Sequence, residues 1–155
     1  MLTKIKEFLN TRNWIFAVSK NSDIITFNLK GINGAYQCIV DVREDFKTFL
    51  FVTFNGNSCP ESKMPLILDF LNRLNTYLTY GNFEIDIESR QIKFRTSIIV
   101  NGFELNNQII EEIIDRNIWL MDYTSPYFMK LMYSDMEVSD VYKLLIPSPT
   151  SEIEQ

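Results

Sequence analysis

The chain has no histidine among its 155 residues, and only five glycines, five prolines and two cysteines. The lack of histidine removes the commonest general base, the usual partner of a serine or cysteine nucleophile, and the commonest transition-metal ligand. The few glycines form no Walker-type loop, no GxGxxG pattern and no GxSxG elbow. The sequence therefore predicts a protein that is not an enzyme, with no catalytic residues, no metal site and no cofactor.

The two cysteines and the start of the chain bear on its compartment. Cys38 lies in an alternating apolar stretch, which predicts a buried thiol, whereas Cys59 lies in the loop "NGNSCP" with no activating group evident. Nothing in the spacing demands a disulfide between them. The start "MLTKIKEFLN" lacks the apolar run of a signal peptide, and no stretch reaches the roughly 20 apolar residues that span a bilayer. We therefore expect a cytoplasmic protein without membrane contact.

The charge of the chain is acidic and unevenly spread. The net charge is −5, which disfavours nucleic acid or an anionic membrane as the partner. Residues 1–100 carry 12 basic and 10 acidic side chains, whereas residues 101–155 carry 3 basic and 10 acidic ones. The acidic character therefore belongs to the C-terminal third.

Hydrophobic periodicity predicts an α+β chain. A short N-terminal helix is followed by the strands "WIFAVS", "DIITFNLKG", "AYQCIVDVR" and "TFLFVTFN", whose short turns indicate an antiparallel meander with one buried face. A helix within "SKMPLILDFLNRLNTYLTYG", a hairpin, a helix from about Asn107 to Tyr133 and a short helix at "EVSDVYKLL" complete the order. We expect one domain over residues 1–146 and a flexible tail over residues 147–155.

The stretch "NFEIDIESRQIKFR" carries three alternating carboxylates, on Glu84, Asp86 and Glu88. A turn centred on residues 89 and 90 places Asp86 opposite Lys93 and Glu84 opposite Arg95, and it pairs Ile87 with Ile92 on the other, apolar face. Cross-strand charge pairs account for these carboxylates, and the facing cations would repel a metal ion. The pattern therefore indicates the solvated face of a hairpin rather than an acid–base or metal site.

The predicted long helix carries aromatic side chains opposite its core face. Trp119 falls about 180° from the centre of that face, and Tyr123 and Tyr127 follow at i+4 and i+8. Trp and Tyr are enriched at interaction surfaces, which favours a dimer or partner surface. The alternative is that the N-terminal helix or residues 136–149 cover these aromatic side chains. A kink at Pro126 could also rotate the later residues back to the core. The core face itself comprises Ile110, Ile113, Ile114, Met121, Phe128 and Met132.

The second half of the chain resembles the YbjN-like family. Those proteins show a G-x-F-E-x-D strand, a turn, a basic-apolar strand and a helix with a D-x-Y-x-P element. Two features differ, because Ser89-Arg90 replaces the usual turn glycine and the spacing of the helical element is changed. The resemblance is good over residues 80–145 and rests on architecture alone before that. The matching residues are Gly81, Phe83, Glu84, Asp86, Asp122, Tyr123 and Pro126.

The resemblance implies the fold of type III secretion chaperones, a twisted antiparallel sheet with helices packed on it, commonly a homodimer. The family carries the label of a sensory transduction regulator, and no catalytic residue is carried over. The leading hypothesis is a non-enzymatic protein-binding or regulatory module with a protein client. A dedicated type III secretion chaperone for one effector, a small-ligand sensor, and an enzyme using carboxylates or Cys59 stay open as alternatives.

Overall fold

The computed structural model describes residues 1–146. The predicted tail over residues 147–155 lies outside them, so this tail and the domain boundary at residue 146 stay predictions. Two short 3-10 turns, Glu44–Phe46 and Glu61–Lys63, accompany the regular elements. The helices and strands are α1 (Leu2–Thr11), β1 (Phe16–Val18), β2 (Ile24–Lys30), β3 (Ala35–Arg43), β4 (Thr48–Ser58), α2 (Met64–Asn75), β5 (Asn82–Ile85), β6 (Gln91–Ile99), α3 (Asn107–Tyr133) and α4 (Val138–Leu145).

The strands form one six-stranded antiparallel sheet in the order β1-β2-β3-β4-β6-β5. The first four strands are the predicted meander, and α2 with β5 is inserted between the neighbours β4 and β6. Side chains alternate along β3, so that Tyr36, Cys38, Val40 and Val42 are buried on one face. The predicted α+β class, an antiparallel sheet with helices packed on it, is confirmed.

Two hydrophobic clusters fill the space between this face and the helices. The first joins α1 and the start of α3 to strands β2, β3 and β4. The second joins α2, the rest of α3 and α4 to β5 and β6. Each helix thus buries its apolar stripe in one of the two clusters, and α4 does so against α2 and α3. Five of the six predicted core positions of α3 are buried, and the sixth, Ile113, is half-buried.

A buried amide on α3 lies against the neighbouring strands β4 and β6. The Asn117 side chain is fully buried, and its Nδ2 donates to the Phe51 carbonyl at 3.3 Å, the Phe94 carbonyl at 3.2 Å and the Thr96 hydroxyl at 3.1 Å. These hydrogen bonds fix the position of α3 along the sheet, because a shifted helix would leave the buried Asn117 amide without acceptors. This polar contact therefore also fixes the position of the outer face of α3 relative to the strands.

The β5–β6 hairpin corrects one prediction. Glu84 pairs with Lys93 rather than with Arg95, so the register is two residues away from the predicted one. A shift by an even number keeps every side chain on its predicted face. Glu84 still forms ion pairs with Lys93 at 3.2 Å and with Arg95 at 2.6 Å, which confirms the solvated face.

The cause of the shift is a longer turn. The Asp86 carboxylate accepts hydrogen bonds from the backbone N–H of Ser89 at 2.7 Å and from its hydroxyl at 2.9 Å. Arg90 then takes a left-handed conformation with φ 55°. Asp86 is therefore a turn residue rather than a partner of Lys93, and Ile87, predicted on the apolar face, is 68% exposed.

Candidate protein-binding surface

Helix α3 carries the candidate surface and is capped at its start. Asn106 accepts a hydrogen bond on its side-chain oxygen from the backbone N–H of Ile109 at 2.9 Å, which satisfies one of the free donors at the helix N-terminus. The helix continues through Pro126 to Tyr133, as predicted. One rigid element therefore positions every aromatic side chain of the surface.

Trp119, Tyr123 and Tyr127 form an aromatic ridge on the outer side of α3. Trp119 is 59% exposed and Tyr123 is 43% exposed, whereas Tyr127 is half-buried against the second cluster. The rings of Trp119 and Tyr123 stack with centroids 5.2 Å apart and planes 9° apart, and Tyr123 and Tyr127 lie 6.2 Å apart. Within residues 1–146, neither α1 nor α4 covers the first two rings, and residues 147–149 of the predicted cover lie outside the described residues.

An apolar slot of about 130 Å³ opens at the foot of the ridge, between α2, α3 and the end of α4. No charged side chain lines it, and the Thr124 hydroxyl donates within α3 to the Leu120 carbonyl at 2.7 Å. Tyr77 stands beside the mouth, 66% exposed and 6.1 Å from the ring of Tyr142. The slot is lined by Leu74, Tyr77, Leu78, Phe83, Trp119, Leu120, Tyr123, Thr124, Leu145 and Ile146.

A wider groove lies on the other side of Trp119, between α3 and the β2–β3 turn. The side chain of Ile32 at the tip of this turn is 94% exposed. Arg12 lines this groove and forms ion pairs with Asp115 at 2.8 Å and with Glu111. Trp119 thus lines both the apolar slot and the groove that contains these ion pairs.

Asp122 holds the β2–β3 turn beside the ridge. Its carboxylate accepts hydrogen bonds from the backbone N–H groups of Ile32 at 3.0 Å and Asn33 at 2.8 Å, and from the Tyr36 hydroxyl at 2.8 Å. A Cβ at Gly31 would lie 2.3 Å from the carboxylate, so only glycine permits this approach. Burial raises the pKa of the Tyr36 hydroxyl, and its bond to Asp122 raises it further, which keeps it a donor.

The strand element of the family pattern also has a structural explanation. Gly81 has φ +63°, and a Cβ there would lie 2.5 Å from the Arg95 carbonyl oxygen. Phe83 is buried with its ring 4.6 Å from that of Phe94. These residues shape the hairpin and its packing, and Asp122 clamps a turn, so the pattern describes a fold rather than a reaction.

Both thiols lie inside the described part of the chain. Cys59, predicted in an open loop, is buried, and both cysteines are free thiols. Burial raises the pKa of Cys38 to about 12 and also raises that of Cys59, which opposes formation of the thiolate. Over residues 1–146, no three His, Cys, Asp or Glu side chains are arranged to hold a metal ion. None of the helices there is long and apolar enough to cross a bilayer.

A family model named YbjN, described as "Putative bacterial sensory transduction regulator", matches residues 2–121. The match confirms membership of this family over residues 80–121 and extends it over the N-terminal half, where only the architecture had supported it. The helical element with Asp122, Tyr123 and Pro126 lies outside the matched residues. No curated protein sequence matches the chain significantly.

Solved structures show the same fold at low identity. The crystal structure of YbjN from E. coli is similar with a TM-score of 0.61 at 12% identity, covering 79% of this chain and 86% of that one. The HopA1-SchA chaperone-effector complex contributes a chain with a TM-score of 0.51 at 15% identity, covering 77% and 88%. The ExoU-SpcU complex from the type III secretion system of Pseudomonas aeruginosa gives a TM-score of 0.51 at 14% identity, covering 82% and 96%.

Proposed function

The chain belongs to the YbjN family, and from this membership we propose that it is a non-enzymatic protein-binding module that acts in the cytoplasm. The likeness of its fold to a chain from a chaperone-effector complex and to a chain from a heterodimeric type III secretion complex supports a protein as the partner. The aromatic ridge on α3 is the proposed contact surface, with Trp119 and Tyr123 at its centre.

The observation that carries this proposal is the stack of Trp119 on Tyr123 in solvent, at 5.2 Å and 9°. Each ring restricts the other, so the pair loses little side-chain entropy when a partner covers it. Tryptophan and tyrosine in such positions contribute a large share of the binding free energy at many interfaces. The stacked pair is therefore suited to bind another protein without first rearranging.

In the proposed mechanism an unfolded segment of a client protein lies along the outer face of α3. Its apolar side chains contact the ridge, which keeps them out of water and away from other client chains. A homodimer would present two such surfaces, and the avidity of two linked sites exceeds that of one. The module would thus hold a client segment through surface contacts alone.

A dedicated type III secretion chaperone for one effector is the second candidate. The similarity to chains from the HopA1-SchA and ExoU-SpcU complexes favours it. A gene beside a secretion locus, with an effector gene next to it, would support this narrower function over a general binding module.

The test is a comparison of proteins captured from native lysate by the parent chain and by Trp119→Ser, quantified by mass spectrometry. Phe46→Ser is the matched control, because Phe46 is an aromatic side chain 73% exposed on the turn between β3 and β4. We expect Trp119→Ser to lose the specific partners at least tenfold and Phe46→Ser to keep them. Equal capture by all three proteins would contradict the proposed surface.

A further inference from the structure

The apolar slot at the foot of the aromatic ridge has the size of one side chain. Its volume is about 130 Å³, and a cavity of roughly 150 Å³ lined by Leu, Ile and Phe accommodates benzene. A single leucine, methionine or phenylalanine side chain would therefore fill it. A charged or amide side chain would leave its polar atoms without hydrogen-bond partners there, which disfavours its binding.

The walls of the slot are fixed by the core. Leu74 is 5% exposed and Leu120 is 8% exposed, and both belong to the second hydrophobic cluster. Tyr77 is held beside the mouth by its contact with Tyr142, and Trp119 by its stack on Tyr123. The slot is thus preformed, since the groups around it are packed against other parts of the chain.

The exposed area around the slot indicates what kind of occupant fits. An aromatic side chain presents about 150–250 Å² when fully exposed, so Trp119, Tyr123 and Tyr77 at their fractional exposures offer roughly 250–420 Å² together. A stable dimer interface needs about 800 Å² from each partner. The ridge and slot therefore suit a short segment of another protein better than the face of a second copy of this chain.

We propose that the slot selects the client by accepting one large apolar side chain from an extended segment, while the residues flanking it lie over the aromatic ridge. This inference rests on the proposed protein-binding function. In an extended segment alternate side chains point the same way, about 6.6 Å apart, so one enters the slot and the next on that side contacts Trp119. The slot determines which segment binds, and the ridge supplies general contact area.

Methyl NMR with toluene as the probe tests whether the slot accepts an apolar group. We expect toluene to shift the methyl resonances of the leucines that line the slot and few others. Leu78→Trp fills the slot and should abolish these shifts. Leu144→Trp is the matched control, because Leu144 is 53% exposed on α4 and does not line the slot, and it should retain them.

A second variant keeps the test decisive where Leu78→Trp fails to fold. Leu78→Ala enlarges the slot, and we expect it to bind naphthalene at least tenfold more tightly than the parent chain does. Failure of toluene to shift the slot methyls, or shifts that persist in folded Leu78→Trp, would overturn the inference.

Client capture separates this inference from the proposed function. Partners that depend on Trp119 but bind Leu78→Trp as tightly as the parent would leave the proposed function standing and overturn the slot. A dimer measured by light scattering that dissociates in Leu78→Trp but not in Leu144→Trp would assign the slot to a second copy instead, which also overturns the inference. At least tenfold loss of the same partners in both Trp119→Ser and Leu78→Trp would support it.

Discussion

The carboxylate of Asp122 on helix α3 accepts a 2.8 Å hydrogen bond from the hydroxyl of Tyr36 on strand β3. The same carboxylate accepts the backbone N–H groups of Ile32 and Asn33, and Asn33 returns a bond from its side-chain amide to the Asp122 carbonyl at 3.0 Å. The residue that follows Asp122 is Tyr123 of the aromatic ridge. One side chain therefore ties the β2–β3 turn to the helix that carries the proposed binding surface.

Asp122→Ala should lower the free energy of unfolding by about 2 kcal/mol, because it removes an ionised acceptor shared by three donors. Urea unfolding measures the loss, and hydrogen exchange should show faster exchange at Ile32 and Asn33. Asp115→Ala is the control on the same helix, where a partly solvated ion pair with Arg12 is expected to contribute less than about 1 kcal/mol. Equal losses in the two variants would contradict the clamp.

Gly81→Ala should destabilise the protein more than Gly102→Ala. Both glycines have positive φ, of +63° and +81°, so both variants carry backbone strain of about 1 kcal/mol. Only at Gly81 would the new Cβ meet a backbone oxygen, that of Arg95, at 2.5 Å, whereas nothing lies within 4 Å of a Cβ at Gly102. Thermal unfolding of the two variants should therefore differ by at least about 1 kcal/mol, and equal losses would show that the hairpin yields at Gly81.

The contribution of Glu84 to stability should depend on pH. Partial burial raises the pKa of this carboxyl, but the hydrogen bond from Asn82 and the charges of Lys93 and Arg95 outweigh it and hold the pKa below its usual value. A depressed folded-state pKa stabilises the fold above the unfolded pKa of about 4.3, and this stabilisation is lost as pH falls through the folded value.

Glu84→Gln removes this titration. The parent should therefore exceed Glu84→Gln in stability by less than about 1 kcal/mol near pH 7, since the pair is partly solvated. We expect the difference to shrink below about pH 4. Urea unfolding across pH 3–7 measures it. A difference that is constant over this range would contradict the depressed pKa.

Trp119→Ser should separate binding from folding. Because Trp119 is 59% exposed, we expect its replacement to change the free energy of unfolding by less than about 1 kcal/mol. Phe128→Ala should cost about 3–5 kcal/mol, since that ring is fully buried against Phe70 and Phe83. Chemical denaturation measures both, and a loss of more than about 2 kcal/mol in Trp119→Ser would show that the ridge is a structural feature.

Local sequence patterns were sufficient to predict the elements. The 3.6-residue period predicts α3 from Asn107 to Tyr133, and the structure gives the same bounds. The alternation predicts the two faces of the paired residues of β5 and β6 correctly, whereas Ile87 lies in the turn and is exposed. The register was wrong by two residues because the Asp86 side chain bonds to Ser89 and lengthens the turn, a choice that alternation does not encode.

The candidate surface depended on contacts that no local pattern contains. Asp122 was recognised only as part of a family element, because its donors lie 86 to 90 residues earlier in the chain. The apolar slot is made by residues of α2, β5, α3 and α4 together, so it exists only after these elements pack. Trp119 could be placed on the outer face from periodicity, yet its stack on Tyr123 also needs the side-chain rotamers.

The most direct test of the central claim, that the stacked Trp119–Tyr123 surface contacts another protein, is site-specific photo-crosslinking in native cells. The photo-crosslinker p-benzoylphenylalanine replaces Trp119 in one protein and Phe46 in a control, both exposed aromatic positions. We expect discrete adducts with a defined protein from position 119 and none from position 46. No adduct at position 119, or the same adducts at both positions, would contradict it.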